Sequence, residues 1–265
     1  MMKLLMCRPD FFDIEYEINP WMDTDNQVDR DLAKQQWEQL YQLYTETLGW
    51  EVSLVDPVDG LPDMVFTANG GLVIDGKVAL PTFRQPERIP ETAHFKAWFD
   101  GAGFSEVLTP KHDFEGEGDA LLWNDTLFIG YPWRSDQAVQ NELSEFFNVK
   151  VIGMQLNDAR FYHLDTCFAP IDNQTVAIWP PAFSDESVQN LKEIVPNVVE
   201  ASEADAMAYG LNSVSDGQTV VLSEAAVGLV EEYEALGKRV YTAPISEFQK
   251  SGGGVKCLTL DIGRN

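Results

Sequence analysis

The sequence predicts an α/β fold assembled from one small unit used five times. Two observations carry this. Helical and strand-like patterns alternate along the chain, and a polar residue heads an apolar strand at five places spaced roughly 50 residues apart. The helical patterns cover Asp29–Leu48, Glu91–Ala102, Gln137–Phe147, Asp185–Ile194 and Glu224–Leu236. Each has apolar residues three and four apart and an acidic or Ser-type start. Between them lie the β-rich runs Gly71–Leu80, Ala120–Ile129, Thr166–Trp179, Val214–Leu222 and Val255–Ile262, bounded by turn residues. The five heads are Asp63, Asp119, Asp165, Asn212 and Cys257. Such a repeat can close into a ring or propeller with its strand ends facing one central site. An ordinary α/β fold whose strands merely recur fits the same pattern.

The 265 residues read as a single domain over 1–265, because no Ser-, Pro- or Gly-rich linker interrupts them. An apolar content of 45% is globular. Against 43 acidic residues stand 18 basic ones, a formal charge of -25. That surface repels phosphate backbones and anionic lipid, so nucleic acid and membrane partners are not expected. It would attract a small cationic substrate, although an acid excess also serves solubility alone. The three cysteines, Cys7, Cys167 and Cys257, lie far apart and form no CxxC pair, which points to a reducing cytoplasmic setting. The opening MMKLLMCRPDFF meets Arg8 too early for a secretion signal and reads as a first strand. No metal or organic cofactor is implied, and a homo-oligomer is compatible with the sequence.

Five motifs carry chemistry. In SGGGVKCLTL three glycines precede Cys257, so the thiol can sit at the mouth of a permissive loop, with Lys256 as a neighbour that would favour thiolate. A core cysteine beside a flexible loop is the plainer reading. In RFYHLDTCF, His163 and Asp165 would share a strand face, where the carboxylate can orient the ring and raise its pKa; Cys167 reads as a packed thiol. In DFEGEGDALL, the acids Glu115, Glu117 and Asp119 alternate with glycine; one of them can hold a guanidinium. The run lacks the further ligands of a Ca²⁺ loop and the GK[ST] of a phosphate loop. LPDMVFTANGG carries Asp63 and Asn69. FRQPERIPE carries Arg84 and Arg88, either of which can anchor a substrate carboxylate or form a surface ion pair.

Together these motifs resemble the guanidino-group-modifying superfamily, the penteins or amidinotransferase-like enzymes. The resemblance runs over nearly the whole chain, and GGGVKC, HLD, FEGEGD and LPDMVFTAN are its most specific parts. It implies a five-bladed pseudo-symmetric α/β propeller of ββαβ repeats. By the same resemblance Cys257 is the nucleophile, His163 the general acid/base, and Glu115 the acid that orients histidine and substrate. Asp165 contacts the guanidinium. Asp63 and Asp119 join the substrate site, with Asn19, Asn69 and Arg88 lining the pocket and Arg88 at the α-carboxylate.

Two departures matter. Deiminases and dimethylarginine hydrolases commonly show E/D-G-G-D where this chain has the longer E-G-E-G-D, so Glu117 competes with Glu115. They also tend to carry an acid where this chain has Asn69. Asn69, with YEINPWM and RFYHLDTCF, is closer to arginine dihydrolases. The expectation is therefore a cysteine-dependent hydrolase that converts arginine to ornithine, ammonia and carbon dioxide. The alternatives are a deiminase or dimethylarginine dimethylaminohydrolase giving citrulline, an amidinotransferase, and a non-catalytic ribosome-binding pentein.

Overall fold

The apolar runs pair into five three-stranded sheets of one construction, in a computed structural model that describes residues 1–264. The chain opens with β1 (Lys3–Cys7), α1 (Arg30–Gln42) and β2 (Glu51–Val55), and β1 runs parallel to β2. Asp29 starts α1 by accepting from the Leu32 amide, and Ala33, Gln36, Trp37 and Leu40 form its buried stripe. Losing the Trp37 ring from that stripe would cost about 3–5 kcal/mol.

The next four sheets repeat one pattern. β3 (Leu72–Ile74) and β4 (Lys77–Ala79) form a hairpin, and α2 (Glu91–Gly101) crosses over to β5 (Glu106–Leu108), parallel to β4. The hairpin turns at Asp75-Gly76 with φ of 52° and 75°, the left-handed pair that a tight two-residue turn requires. β6 (Ala120–Trp123), β7 (Thr126–Tyr131), α3 (Val139–Phe147) and β8 (Lys150–Gln155) make the third sheet. β9 (Phe168–Pro170), β10 (Thr175–Ile178), α4 (Asp185–Ile194) and β11 (Asn197–Glu200) make the fourth. After the short α5 (Glu203–Met207), the fifth comprises β12 (Val214–Ser215), β13 (Thr219–Ser223), α6 (Val227–Ala235) and β14 (Arg239–Ala243). Then α7 (Ser246–Gln249) leads to β15 (Leu260–Asp261), which pairs antiparallel with β1, Leu5 facing Leu260. The last strand thus completes the first sheet, and the five ββαβ blades form the α/β propeller expected.

Polar residues at the strand heads latch each blade to the next. Thr67 Oγ1 donates to the carbonyls of Leu5 and Leu258 at 2.8 and 3.0 Å. Asn69 Nδ2 donates to the Glu115 carbonyl at 3.1 Å, and the Leu164 amide donates to Asp119 Oδ1 at 3.2 Å. Asn212 Nδ2 reaches the Asp165 carbonyl at 3.1 Å, and the Cys257 amide reaches Asn212 Oδ1 at 3.0 Å. These groups are buried, so each left unpaired would cost roughly 1–3 kcal/mol.

Two sequence expectations shift in register. Asp63 does not head a strand: it sits in a 3₁₀ turn, Pro62–Val65, and the strand begins only at Leu72. Thr67 and Asn69 take the latching positions there. Of the run Val255–Ile262 only Leu260–Asp261 is strand, because the chain still turns through Cys257. Among the described residues no helix is long and apolar enough to cross a membrane.

Candidate active site

Cys257 and His163 face one buried cavity. Its walls also include Ile18, Asn19, Met22, Asp63, Phe66, Asn69, Arg88, Arg134, Tyr162, Ser251 and Gly252. Side chains from all five blades converge on it or on the groups behind it.

The loop before Cys257 explains its glycines. Gly252 has a φ of +79°, and a Cβ there would lie 2.7 Å from the Tyr162 hydroxyl. A Cβ on Gly254 would lie 2.6 Å from Asn212 Oδ1. Cys257 follows with its sulfur 3.3 Å from Asp165 Oδ2 and 3.1 Å from Asn212 Nδ2. Burial pushes this thiol well above its ordinary range, and the Asp165 carboxylate pushes it further. Lys256 does not counter this. Its ammonium is turned to Glu117 and to the Thr259 carbonyl at 3.0 Å, so the expected help toward thiolate from that neighbour is absent.

His163 and Asp165 do not share a strand face. His163 is extended, with φ -115° and ψ 151°, and Asp165 lies in the 3₁₀ turn that follows. The two side chains therefore diverge. Asp165 turns to Cys257, while His163 Nε2 meets Glu115 Oε2 at 2.8 Å. Burial lowers His163 to about 4 against the upward pull of Glu115. At neutral pH the contact is thus a hydrogen bond from a neutral imidazole. Burial alone would raise Glu115, but Arg134 at 3.0 Å and His163 bring it net below its ordinary range.

The three acids of EGEGD separate cleanly. Glu115 meets His163. Glu117 points the other way, to Lys256, to the Asp261 amide at 2.9 Å and to Arg264 at 3.0 Å. Asp119, expected at the substrate, does not line the cavity. It accepts from Ser135 Oγ at 2.7 Å and from the Leu164 amide, as the latch position demands. Asp165 lies against the Cys257 sulfur; it is not among the residues that line the cavity, and its buried Oδ1 has no partner.

Asp63, Asn69, Arg88 and Asn19 all line the cavity. Arg88 forks onto Glu91 with two contacts of 2.8 Å and donates to Asn69 Oδ1 at 2.9 Å. Asp63 accepts from the Tyr16 hydroxyl at 3.0 Å through Oδ2, while its buried Oδ1 has no partner. Asn19 is held at the cavity wall, with Nδ2 on the Ser251 carbonyl at 3.1 Å and Oδ1 receiving the Trp21 amide at 2.9 Å. Arg84 forms the surface pair instead, with Asp113 at 2.8 Å.

Sequence reasoning missed Arg134. It lines the cavity, donates to Glu115 and to the Ile18 carbonyl at 2.8 Å, and lies over the Tyr162 ring at 4.7 Å. The only local signal was an arginine among aromatics in YPWRS, in a chain poor in basic residues. Asn212 heads a strand in the sequence repeat, and no local motif signals its contact with the sulfur. Among the described residues no group of three or more His, Cys, Asp and Glu is placed to hold a metal ion.

A buried cysteine, a histidine–glutamate pair and arginine-anchored carboxylates at the centre of a five-bladed ββαβ ring define a guanidino-group-modifying hydrolase. The family profile described as N,N dimethylarginine dimethylhydrolase, eukaryotic, matches residues 11–264. The chain belongs to that family. It is 42% identical to N(G),N(G)-dimethylarginine dimethylaminohydrolase of Mycobacterium tuberculosis, over 98% of this chain and 85% of that one. It is 40% identical to the bifunctional arginine dihydrolase/ornithine cyclodeaminase AgrE of Nostoc, over 98% of this chain but 38% of that one. The N-terminal domain of ArgZ, a cyanobacterial arginine dihydrolase, superimposes with a TM-score of 0.94 at 36% identity in a cysteine-to-serine variant bound to substrate. That match covers 100% of this chain and 99% of the domain.

Proposed function

We propose that the chain hydrolyses L-arginine at the guanidino carbon through a covalent adduct on Cys257, and carries the reaction past citrulline to ornithine, ammonia and carbon dioxide. The observation that carries this reading is a pair of buried carboxylate oxygens without partners, Asp63 Oδ1 and Asp165 Oδ1. Asp165 holds its unpartnered Oδ1 next to the sulfur, just outside the cavity lining, so a guanidinium whose carbon comes within reach of Cys257 would turn its N–H groups toward that oxygen. Asp63 stands beside Arg88, 3.9 Å from its Nε, so an α-ammonium belongs there. Arg88 and Arg134 supply the cations for the α-carboxylate.

The charges then order the steps. In the free protein the thiol is protonated. A guanidinium placed against Asp165 replaces repulsion of the thiolate with attraction. Cys257 gives its proton to His163, whose cation Glu115 stabilises, and the sulfur adds to the guanidino carbon. His163 returns that proton to the departing nitrogen, which leaves as ammonia. Water, deprotonated by the same imidazole, displaces the sulfur and gives citrulline. A second cycle on the retained ureido group expels another ammonia and leaves a carbamate, which loses carbon dioxide to give ornithine.

Asn69 supports the second cycle. Its amide can offer the remaining N–H to the oxygen of a neutral ureido group, where a carboxylate would meet that oxygen with like polarity. The arginine dihydrolase relatives agree with this reading. The Mycobacterium relative favours a second one, release of dimethylamine from dimethylarginine.

A mass-spectrometric product scan with arginine, citrulline, agmatine and dimethylarginine tests both, with Cys257→Ser alongside. Ornithine from arginine, lost in the variant, is expected. Citrulline as the sole end product from arginine in an active sample would reject the dihydrolase.

A further inference from the structure

The amide of Asn212 has only one orientation open to it. Oδ1 receives the Cys257 backbone N–H at 3.0 Å, so the other end must be the NH₂. That nitrogen spends one hydrogen on the Asp165 carbonyl at 3.1 Å and aims the other at Cys257 Sγ, also at 3.1 Å. Asn212 is fully buried, and the third glycine of the GGG run leaves the space it fills. One side chain therefore grips both the backbone and the sulfur of the same cysteine. The sulfur's other side-chain contact, Asp165, once ionised accepts a proton from it or repels its anion.

We infer that Asn212 acts in the reaction as the neutral hydrogen-bond donor that holds the Cys257 thiolate when it forms and when it is expelled. Its role rests on the reading of Cys257 as nucleophile. A thiolate beside Asp165 and out of water needs a donor that brings no counter-charge, because a cation there would repel the substrate's own. An amide meets that need. The donor stays in place through addition and expulsion, since its opposite end is fixed to the backbone. Burial and Asp165 drive the thiol upward, while the Gly254 backbone and the Asn212 amide pull it down.

The test is the pH dependence of Cys257 alkylation by iodoacetamide, located by peptide mass mapping, in wild type and Asn212→Asp. The aspartate keeps the shape and the acceptor for the Cys257 amide but trades the donor for an anion, so the uncharged Asn212→Leu is run beside it, and the midpoint must rise in that variant too if lost donation and not added charge is the cause. The alkylation midpoint is expected to rise by one pH unit or more, about a tenfold loss of thiolate at a fixed pH. With arginine as substrate, kcat should fall at least as far, with KM little changed. A purely structural role would lower the melting temperature and leave the midpoint where it was, and that result overturns the inference. Gly254→Ala is a further variant, should Asn212→Asp not fold. It displaces the amide without altering it and should raise the midpoint in the same direction; an unmoved midpoint there counts equally against the role. Full turnover by Cys257→Ser would instead remove the nucleophile reading, a separate result.

Discussion

Glu115 Oε2 lies 2.8 Å from His163 Nε2, both side chains closed off from solvent. The contact singles out Glu115 from its neighbour Glu117, which serves the Lys256 and Arg264 pair on the far side. The two glutamates should therefore fail differently. Glu115→Gln removes the anion that stabilises an imidazolium, and turnover should fall by about a hundred- to ten-thousand-fold. Glu117→Gln leaves the buried Lys256 ammonium without its counter-ion, while Arg264 keeps Asp261, and should cost about 3–5 kcal/mol in denaturant unfolding. Turnover lost in Glu117→Gln at unchanged stability would reverse the assignment.

Asp165 makes a prediction about pH. Burial raises its carboxyl to about 7 in the folded protein, against 3.8 in the ordinary case. The folded state then binds the proton more tightly than the unfolded chain does. This contribution to stability is complete below pH 4 and is lost as pH rises through 7. Asp165→Asn removes the charge that appears. Its melting temperature should gain on wild type steadily between pH 4 and pH 8, while turnover is lost. A difference between the two proteins that does not change over that range would place Asp165 in a wetter setting than this one.

Asn69 bears on the end product. Its Oδ1 is engaged by Arg88 and one N–H by the Glu115 carbonyl, leaving the second N–H for a ligand. Asn69→Asp should shift the product ratio from ornithine toward citrulline, read by amino-acid analysis of a completed arginine digest. Undiminished ornithine from that variant would leave the amide without this role.

Arg134 offers a test that separates recognition of the amino-acid head from chemistry. Arg134→Lys keeps the charge near Glu115 but gives up the planar fork. The KM for arginine should rise about tenfold or more, whereas agmatine, which lacks the carboxylate, should be turned over as in wild type. An equal loss on both substrates would tie Arg134 to the Glu115–His163 pair alone.

Much of this was legible in the sequence. The ββαβ repeat could be read because strand and helix periodicities, Asp-Gly turns and polar heads are local signals. Cys257 and His163 stand out as candidates in short, dense motifs, the glycine run and the HLD triplet, but their roles came only from the family resemblance of the motifs taken together. What the sequence could not decide was direction. Lys256 adjoins Cys257 but turns to Glu117, Asp165 turns from His163 to the sulfur, and Asp119 turns from the cavity to Ser135. Asn212 lies 45 residues from the sulfur it touches, and Arg134 lies 116 residues from the Ile18 carbonyl it holds. Periodicity sets which face of an element a residue occupies. Only the closing of the five blades around one axis brings those faces together, and burial there obliges each polar group to find the partner that its position allows.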